Sequence, residues 1–180
     1  MLTNPFPPFE GHGQLPLDLF RFEAESSVDG WSAIDDRVMG GVSNSRLRYD
    51  PVGGYAVFEG VVSLERKGGF ASVRSRPFDL GIPVTACYGL EVLGDGKRYK
   101  FNLRTDDGFD GLNYQAVFEP PKGQWTTIEL PVQKFQPSFR GRLVAGAAAL
   151  DPMRVRQVGL MIADRQQGYF SLALRSIQAR

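Results

Sequence analysis

RYKFNLRTDDGFDGLNYQAVF, residues 98–118, is the stretch whose reading decides the fold. Tyr99, Phe101 and Leu103 alternate with Arg98, Lys100, Asn102 and Arg104. Successive side chains of a strand project to opposite faces, so this pattern predicts a strand with an apolar back and a polar, cationic front. A polar loop, residues 105–111, follows. Tyr114, Ala116 and Phe118 then alternate with Asn113, Gln115 and Val117, which predicts a second strand of the same kind. The front of this pair is the first candidate for a working surface.

Working outward, the same short alternation recurs. Strands are expected at residues 17–23, 45–49, 55–64, 70–78, 84–93, 124–130, 157–163 and 169–177, while residues 31–34 lead from a loop into the segment that follows them. Turn signals separate them: Asp50-Pro51-Val52-Gly53-Gly54, Gly94-Asp95-Gly96 and Pro120-Pro121-Lys122-Gly123. Residues 131–150 are less regular, and the alanine-rich run 143–150 suggests a short helical turn. Asp151-Pro152 suits another, with Asp as N-cap and Pro at the first helical position. About ten short strands, closely spaced turns and little helix make an all-β protein, a β-sandwich or jelly roll. Residues 1–14, with three prolines and no periodicity, are expected as an extended arm. Residues 15–180 then form a single domain.

Composition removes several function classes. A chain of 180 residues can bury a core without disulfides or metal. A net charge of +1 lacks the concentrated basic surface that nucleic-acid binding needs. Sixteen arginines against five lysines fit specific planar hydrogen bonding. Codon bias would produce the same ratio. The one cysteine, Cys87, sits in an apolar run and is expected to be an inert, half-buried strand residue. No apolar run is long enough to span a membrane, and no signal peptide is visible, so the expected location is the cytoplasm.

Catalytic and metal motifs fail on spacing. The lone His12 lies in the N-terminal arm, so His-based triads and zinc sites lack material. The loop Asp106-Asp107-Gly108-Phe109-Asp110-Gly111 resembles a calcium loop. Counting from Asp106, however, the third position is Gly108 and the twelfth is Val117, where a carboxylate is required. Asp35, Asp36, Glu59, Glu91, Asp106, Asp107 and Asp110 offer carboxylates, and nothing in their spacing selects a glycosidase pair. The chain is expected to be no enzyme and to hold no cofactor or metal.

Residues 35–43, DDRVMGGVS, are unusual. Aspartates accept local backbone hydrogen bonds, and a Gly-Gly pair permits conformations closed to other residues. The plainer reading is a tight corner in which the carboxylates satisfy a turn. The sharper one is a rigid loop presenting Asp36, Arg37 and Ser43 to a partner.

Trp31, Asp35-Asp36, Val38-Met39-Gly40-Gly41 and Ser43 together resemble the signature of the complex I intermediate-associated protein 30 family. Gly68-Gly69-Phe70-Ala71-Ser72-Val73-Arg74 is similar as well. So are Tyr99-x-Phe101-x-Leu103-Arg104, Tyr114-Gln115, Trp125, Leu130-Pro131, and Phe135-x-Pro137-x-Phe139-Arg140-Gly141. Val158-Gly159-Leu160 and Gly168-Tyr169-Phe170 close the series.

The resemblance implies a galactose-binding-domain-like jelly roll. It also implies a non-catalytic part in assembling a respiratory or photosynthetic NADH dehydrogenase-type membrane complex. The expected partners are protein subunits of that complex, met at a membrane only through the client. Donors on Arg74, Asn102, Arg104 and Gln115, ringed by Tyr99 and Tyr114, are the candidate contacts. Two plainer roles stay open: the tyrosines serving the core, and the arginines pairing with Asp35, Asp36, Asp106 or Asp107. The alternative ligand is a carbohydrate, with Trp31, Trp125 and Tyr114 as aromatic platforms. Trp125 reads as a core residue.

Overall fold

Thirteen strands, all paired antiparallel, fold into two stacked sheets in the computed structural model, which describes residues 15–180. The expected arm, residues 1–14, and His12 within it lie outside the described residues. In chain order the strands are β1 Leu17–Arg21, β2 Trp31–Ala33, β3 Asn44–Asp50, β4 Tyr55–Val62, β5 Ala71–Ser75, β6 Cys87–Leu93 and β7 Tyr99–Arg104. They continue as β8 Asn113–Phe118, β9 Trp125–Pro131, β10 Gln136–Phe139, β11 Arg142–Leu143, β12 Gln157–Ile162 and β13 Gly168–Ala179. Among the described residues helix is limited to five short 3-10 turns.

One sheet runs β3-β4-β13-β6-β9, with β1 also paired to β13; the other runs β11-β10-β8-β7-β12-β5-β2. The long strand β13 holds the first sheet together. Its first half pairs with β4, and its second half pairs with β6 on one side and β1 on the other. This is the all-β jelly-roll sandwich that the alternation predicted.

The core forms where the two apolar backs meet. Tyr99, Phe101 and Leu103 are fully buried, and so are Phe58, Leu90, Val92, Phe170 and Leu172 from the facing sheet. Aromatic edges interlock the layers: Phe58 with Tyr99 at 6.3 Å between ring centroids, Tyr88 with Phe101 at 6.0 Å, and Tyr99 with Phe170 at 6.4 Å. Such pairs stabilise by about 1 kcal/mol beyond area burial. Tyr99 and Tyr114 both serve this core rather than ringing a surface site.

Three expectations change. The expected helical turn at residues 143–150 is absent; eight residues are too few for alanine to nucleate a helix, and the chain runs irregularly until Leu150 enters the core. Residues 131–143 contribute the extra short strands β10 and β11. Pro137 is tolerated near the sheet edge because β11 covers only two residues of β10. Trp125 is half-buried and outside the core cluster: it packs against Tyr55 at 5.2 Å, with the Arg175 guanidinium 4.1 Å from its ring centroid. The Asp151 turn is as expected, its carboxylate accepting from the Met153 N–H at 3.0 Å.

Candidate functional site

Residues directly opposite in adjacent strands point to the same face. On the outer face of the second sheet, Arg74 lies opposite Gly159, Gly159 opposite Asn102, Asn102 opposite Gln115, and Gln115 opposite Gln136. These form one row across β5, β12, β7, β8 and β10. A parallel row holds Ser72, Met161, Lys100 and Val117, and on the other side Gln157 faces Arg104. The alternation read from residues 98–118 therefore extends across the sheet as a lattice of amides and guanidiniums.

One end of this lattice is covered by the loop between β7 and β8. Three arginines from separate parts of the chain hold the loop through its three aspartates. Arg104 meets Asp106 at 3.0 Å, Arg156 meets Asp107 at 2.7 Å, and Arg140 meets Asp110 at 2.6 Å. Gln157 Nε2 donates to the carbonyls of Asp106 and Gly108. Gly111 is required by close approach, since a Cβ there would lie 2.8 Å from a terminal nitrogen of Arg104. So arranged, the Phe109 carbonyl accepts from both Arg74, at 2.9 Å, and Arg104, at 3.1 Å, while the Phe109 ring lies exposed beside Arg74.

Arg104 is consequently buried, 3% exposed, and not the open surface donor expected of it. Alternation told which face it occupies but not that the following loop folds back over it. Arg74, half-buried, has no carboxylate partner among the described residues. Burial first, and then the nearby charge of Arg104, pull its guanidinium down to about 10. A depression of about 40 Å3 beside the two arginines is lined by Arg74, Asn102, Arg104, Gln157, Gly159 and Met161. Two polar atoms buried beside it, Asn102 Oδ1 and Arg104 Nε, have no hydrogen-bond partner among the described residues. Native proteins rarely leave such atoms unsatisfied.

The corner at residues 35–43 is built oppositely. Asp36 is fully buried. Its Oδ1 accepts from the Ser43 N–H at 2.9 Å; its Oδ2 accepts from the Ser43 hydroxyl at 2.5 Å, the Gly69 N–H at 2.8 Å and the Phe70 N–H at 3.4 Å. Asp35 accepts from the Ser45 N–H, the Ser45 hydroxyl and the Ser72 N–H. The two carboxylates thus stitch the entry to β3 in one sheet onto β5 in the other. Burial pushes the Asp36 carboxyl up, and the hydrogen bonds from Ser43, Gly69 and Phe70 outweigh it, leaving the group below the usual carboxylate range. Gly41 and Gly68 make room: a Cβ would lie 2.3 Å from Asp36 Oδ1 at the first and 2.5 Å from Oδ2 at the second.

Asp36 and Ser43, expected as partner contacts, are therefore internal, because their hydrogen-bonding capacity is filled by the chain itself. Of the expected contacts at this corner Arg37 alone stands exposed, together with Val38, Met39 and Gly40. Tyr114 is also withdrawn from the surface; it is 4% exposed, and its hydroxyl donates to the Ala148 carbonyl. Of the expected residues, the structure brings Arg74, Asn102, Arg104 and Gln115 together on one face and places the Asp36 corner elsewhere. Gln157 was not named from sequence, and Gly159 and Phe109 were named only within a family motif and a loop, not as site residues. A glycine inside the apolar run of β12 was the available signal, since strand glycines often mark close approach or a bare patch.

The first sheet carries a wider groove of about 270 Å3 on its outer face, bordered by Tyr55 and Tyr169. Of its charged groups, Glu59 takes both Arg46, at 2.7 Å, and Arg48, at 2.8 Å, and lies 3.3 Å from the Tyr169 hydroxyl, while Asp50 and Asp95 accept backbone N–H groups of Val52, Lys97 and Ser171. Among the described residues no helix is long and apolar enough to cross a membrane.

Comparisons with known proteins follow this geometry. The family described as Complex I intermediate-associated protein 30 matches residues 20–174. An uncharacterised protein of Schizosaccharomyces pombe is 31% identical over 166 residues, covering 82% of this chain and 76% of its own. The mitochondrial Complex I intermediate-associated protein 30 of Drosophila melanogaster is 24% identical over 178 residues. That match covers 87% of this chain but only 60% of the fly protein. Among solved structures, the family 11 carbohydrate-binding module of a cellulosomal cellulase from Clostridium thermocellum superposes with a TM-score of 0.68. At 15% identity, with 91% and 93% of the two chains covered, it shares the fold alone.

Proposed function

We propose, for a chain that belongs to the complex I intermediate-associated protein 30 family, a non-catalytic role as an assembly factor. It holds a protein subunit of a respiratory or photosynthetic NADH dehydrogenase-type membrane complex until the next partner arrives, and it meets the membrane through that client. The outer face of the β5-β12-β7-β8 sheet is the docking surface. One observation carries this choice of face: charged and amide groups there keep unused hydrogen-bonding capacity, whereas the other unpartnered buried atoms among the described residues are the core hydroxyls of Tyr88 and Tyr99. Among the described residues Arg74 has no ion pair, Asn102 Oδ1 and Arg104 Nε are unpartnered, and the Gln115 side chain has only a 4.0 Å approach to the Met161 sulfur. An extended segment laid along the row from Arg74 to Gln136 meets alternating guanidinium and amide groups, which suit backbone carbonyls and polar side chains.

Affinity purification from the native cell tests this role. The unmodified chain should recover subunits of an NADH dehydrogenase-type complex, and Asn102→Ala combined with Gln115→Ala should recover fewer. Equal recovery by both would remove this face from the role.

A second reading, carbohydrate binding, is favoured by one feature, the groove between Tyr55 and Tyr169 on the opposite sheet. Tyr169 is 62% exposed, and aromatic rings of this kind stack on sugars. Saturable binding on a glycan array, lost in Tyr169→Ala, would support it. Trp31 and Tyr114 are poor platforms, since Trp31 packs against Phe20 and Phe22 and Tyr114 faces the core.

A further inference from the structure

Resting on the reading that this face takes a partner segment, we propose that the depression above Gly159 is a carboxylate pocket. An aspartate or glutamate side chain of an extended protein segment enters it, pairs with Arg74, and accepts a second hydrogen bond from the Asn102 Nδ2 group, which lies beside Gly159.

The donors are present and unused. A guanidinium carries five N–H groups, and the only hydrogen bond Arg74 makes through them among the described residues runs to the neutral Phe109 carbonyl. Arg104 gives its terminal nitrogens to Phe109 and Asp106, so it supplies positive charge beside the pocket, while its Nε–H stays buried and unpartnered among the described residues. The two guanidiniums share one carbonyl acceptor and therefore sit side by side. Their mutual repulsion, together with burial, depresses the proton affinity of Arg74. A negative charge placed beside them counters the repulsion and offsets the cost of burial.

Size and charge narrow the class of occupant. A bound water needs about 10–15 Å3 of such space, so 40 Å3 accepts a planar group of about three heavy atoms and excludes a sugar ring. Asp106 and Asp110 lie near enough to influence Arg74, which disfavours a doubly charged phosphate and suits a single carboxylate. A peptide source is favoured over an acidic sugar because the row continues from the pocket through Asn102, Gln115 and Gln136. These are amides spaced along the sheet, without an aromatic platform between them.

The test is nuclear magnetic resonance of the full 15N-labelled chain titrated with acetyl-Thr-Thr-Glu-Thr-Thr-amide. Expected are shifts of the Gly159 amide and of the Nε–H signals of Arg74 and Arg104, and no such shifts with the Gln counterpart. Arg74→Gln should weaken binding about tenfold, the effect of one charge-assisted hydrogen bond. Gly159→Val, which fills the depression while leaving every charge, should abolish it. Both variants are checked for an otherwise unchanged amide spectrum.

Equal shifts from the Glu and Gln peptides, or none at Gly159, would overturn the proposal. So would binding confined to inorganic phosphate, to oligogalacturonate, or to a Gln peptide with a free C-terminal carboxylate. The assembly reading fails separately. If the unmodified chain recovers no NADH dehydrogenase subunits, that reading falls whatever the peptide does. If Arg74→Gln loses the peptide yet recovers the subunits in full, the assembly role stands and the pocket is not its contact.

Discussion

The Asp35–Asp36 corner and the Arg74–Arg104 face both bury charge, and they do so to opposite ends. At the corner, two carboxylates accept seven hydrogen bonds from their own chain, and two neighbouring glycines clear the space around Asp36. On the face, two guanidiniums share one neutral carbonyl, and polar atoms remain unpartnered beside a cavity. A buried charge that its own fold satisfies is part of the scaffold. One that the fold leaves short points to an outside partner. The comparison also explains why a segment as distinctive as DDRVMGGVS is structural: it locks the margins of the two sheets together.

The contrast predicts opposite responses to mutation, the largest at the corner. Asp36→Ala strands the donors of Ser43, Gly69 and Phe70 and should destabilise by about 3–5 kcal/mol. In a chain of this size that lowers the melting temperature by roughly 10 °C. A loss no larger than a surface substitution gives would break the comparison. Acid sharpens it. The folded Asp36 carboxyl lies below its unfolded value, so its stabilisation is fully present above about pH 4 and fades as pH falls through the folded pKa. The stability gap between the unmodified chain and Asp36→Ala, measured in urea, should therefore narrow from pH 6 to pH 3.

Gly41→Ala comes next. It drives a methyl group into the Asp36 carboxylate and should destabilise by roughly 2 kcal/mol, read as a fall in melting temperature of about 5 °C. The smallest effect belongs to the face. Arg74 is held charged against burial and against Arg104, so Arg74→Gln should leave the melting temperature unchanged or raise it by about 1 °C. A clear destabilisation by Arg74→Gln would make Arg74 part of the scaffold and dissolve the contrast.

Alternation made the sheets legible from sequence. Tyr99, Phe101 and Leu103 announced their side through a period of two, and β8 lies at residues 113–118 as read. What alternation cannot report is what lies above a face. Asn102 and Arg104 read as surface residues, yet the loop through Phe109 closes over Arg104. The corner was illegible for a related reason. Asp36 reaches partners 7, 33 and 34 residues away, so its neighbours read as a local turn rather than a cross-sheet tie. β11 escaped because two residues carry no period, and Gly159 because a missing side chain leaves only a gap in a pattern.

Site-specific photocrosslinking in the native cell tests the docking face most directly. A benzoylphenylalanine replaces Gln115 on this face or, as control, Glu91 on the other sheet. The predicted result is an adduct with a subunit of an NADH dehydrogenase-type complex from position 115 and none from position 91. Adducts from position 91 alone, or equally from both, would contradict it.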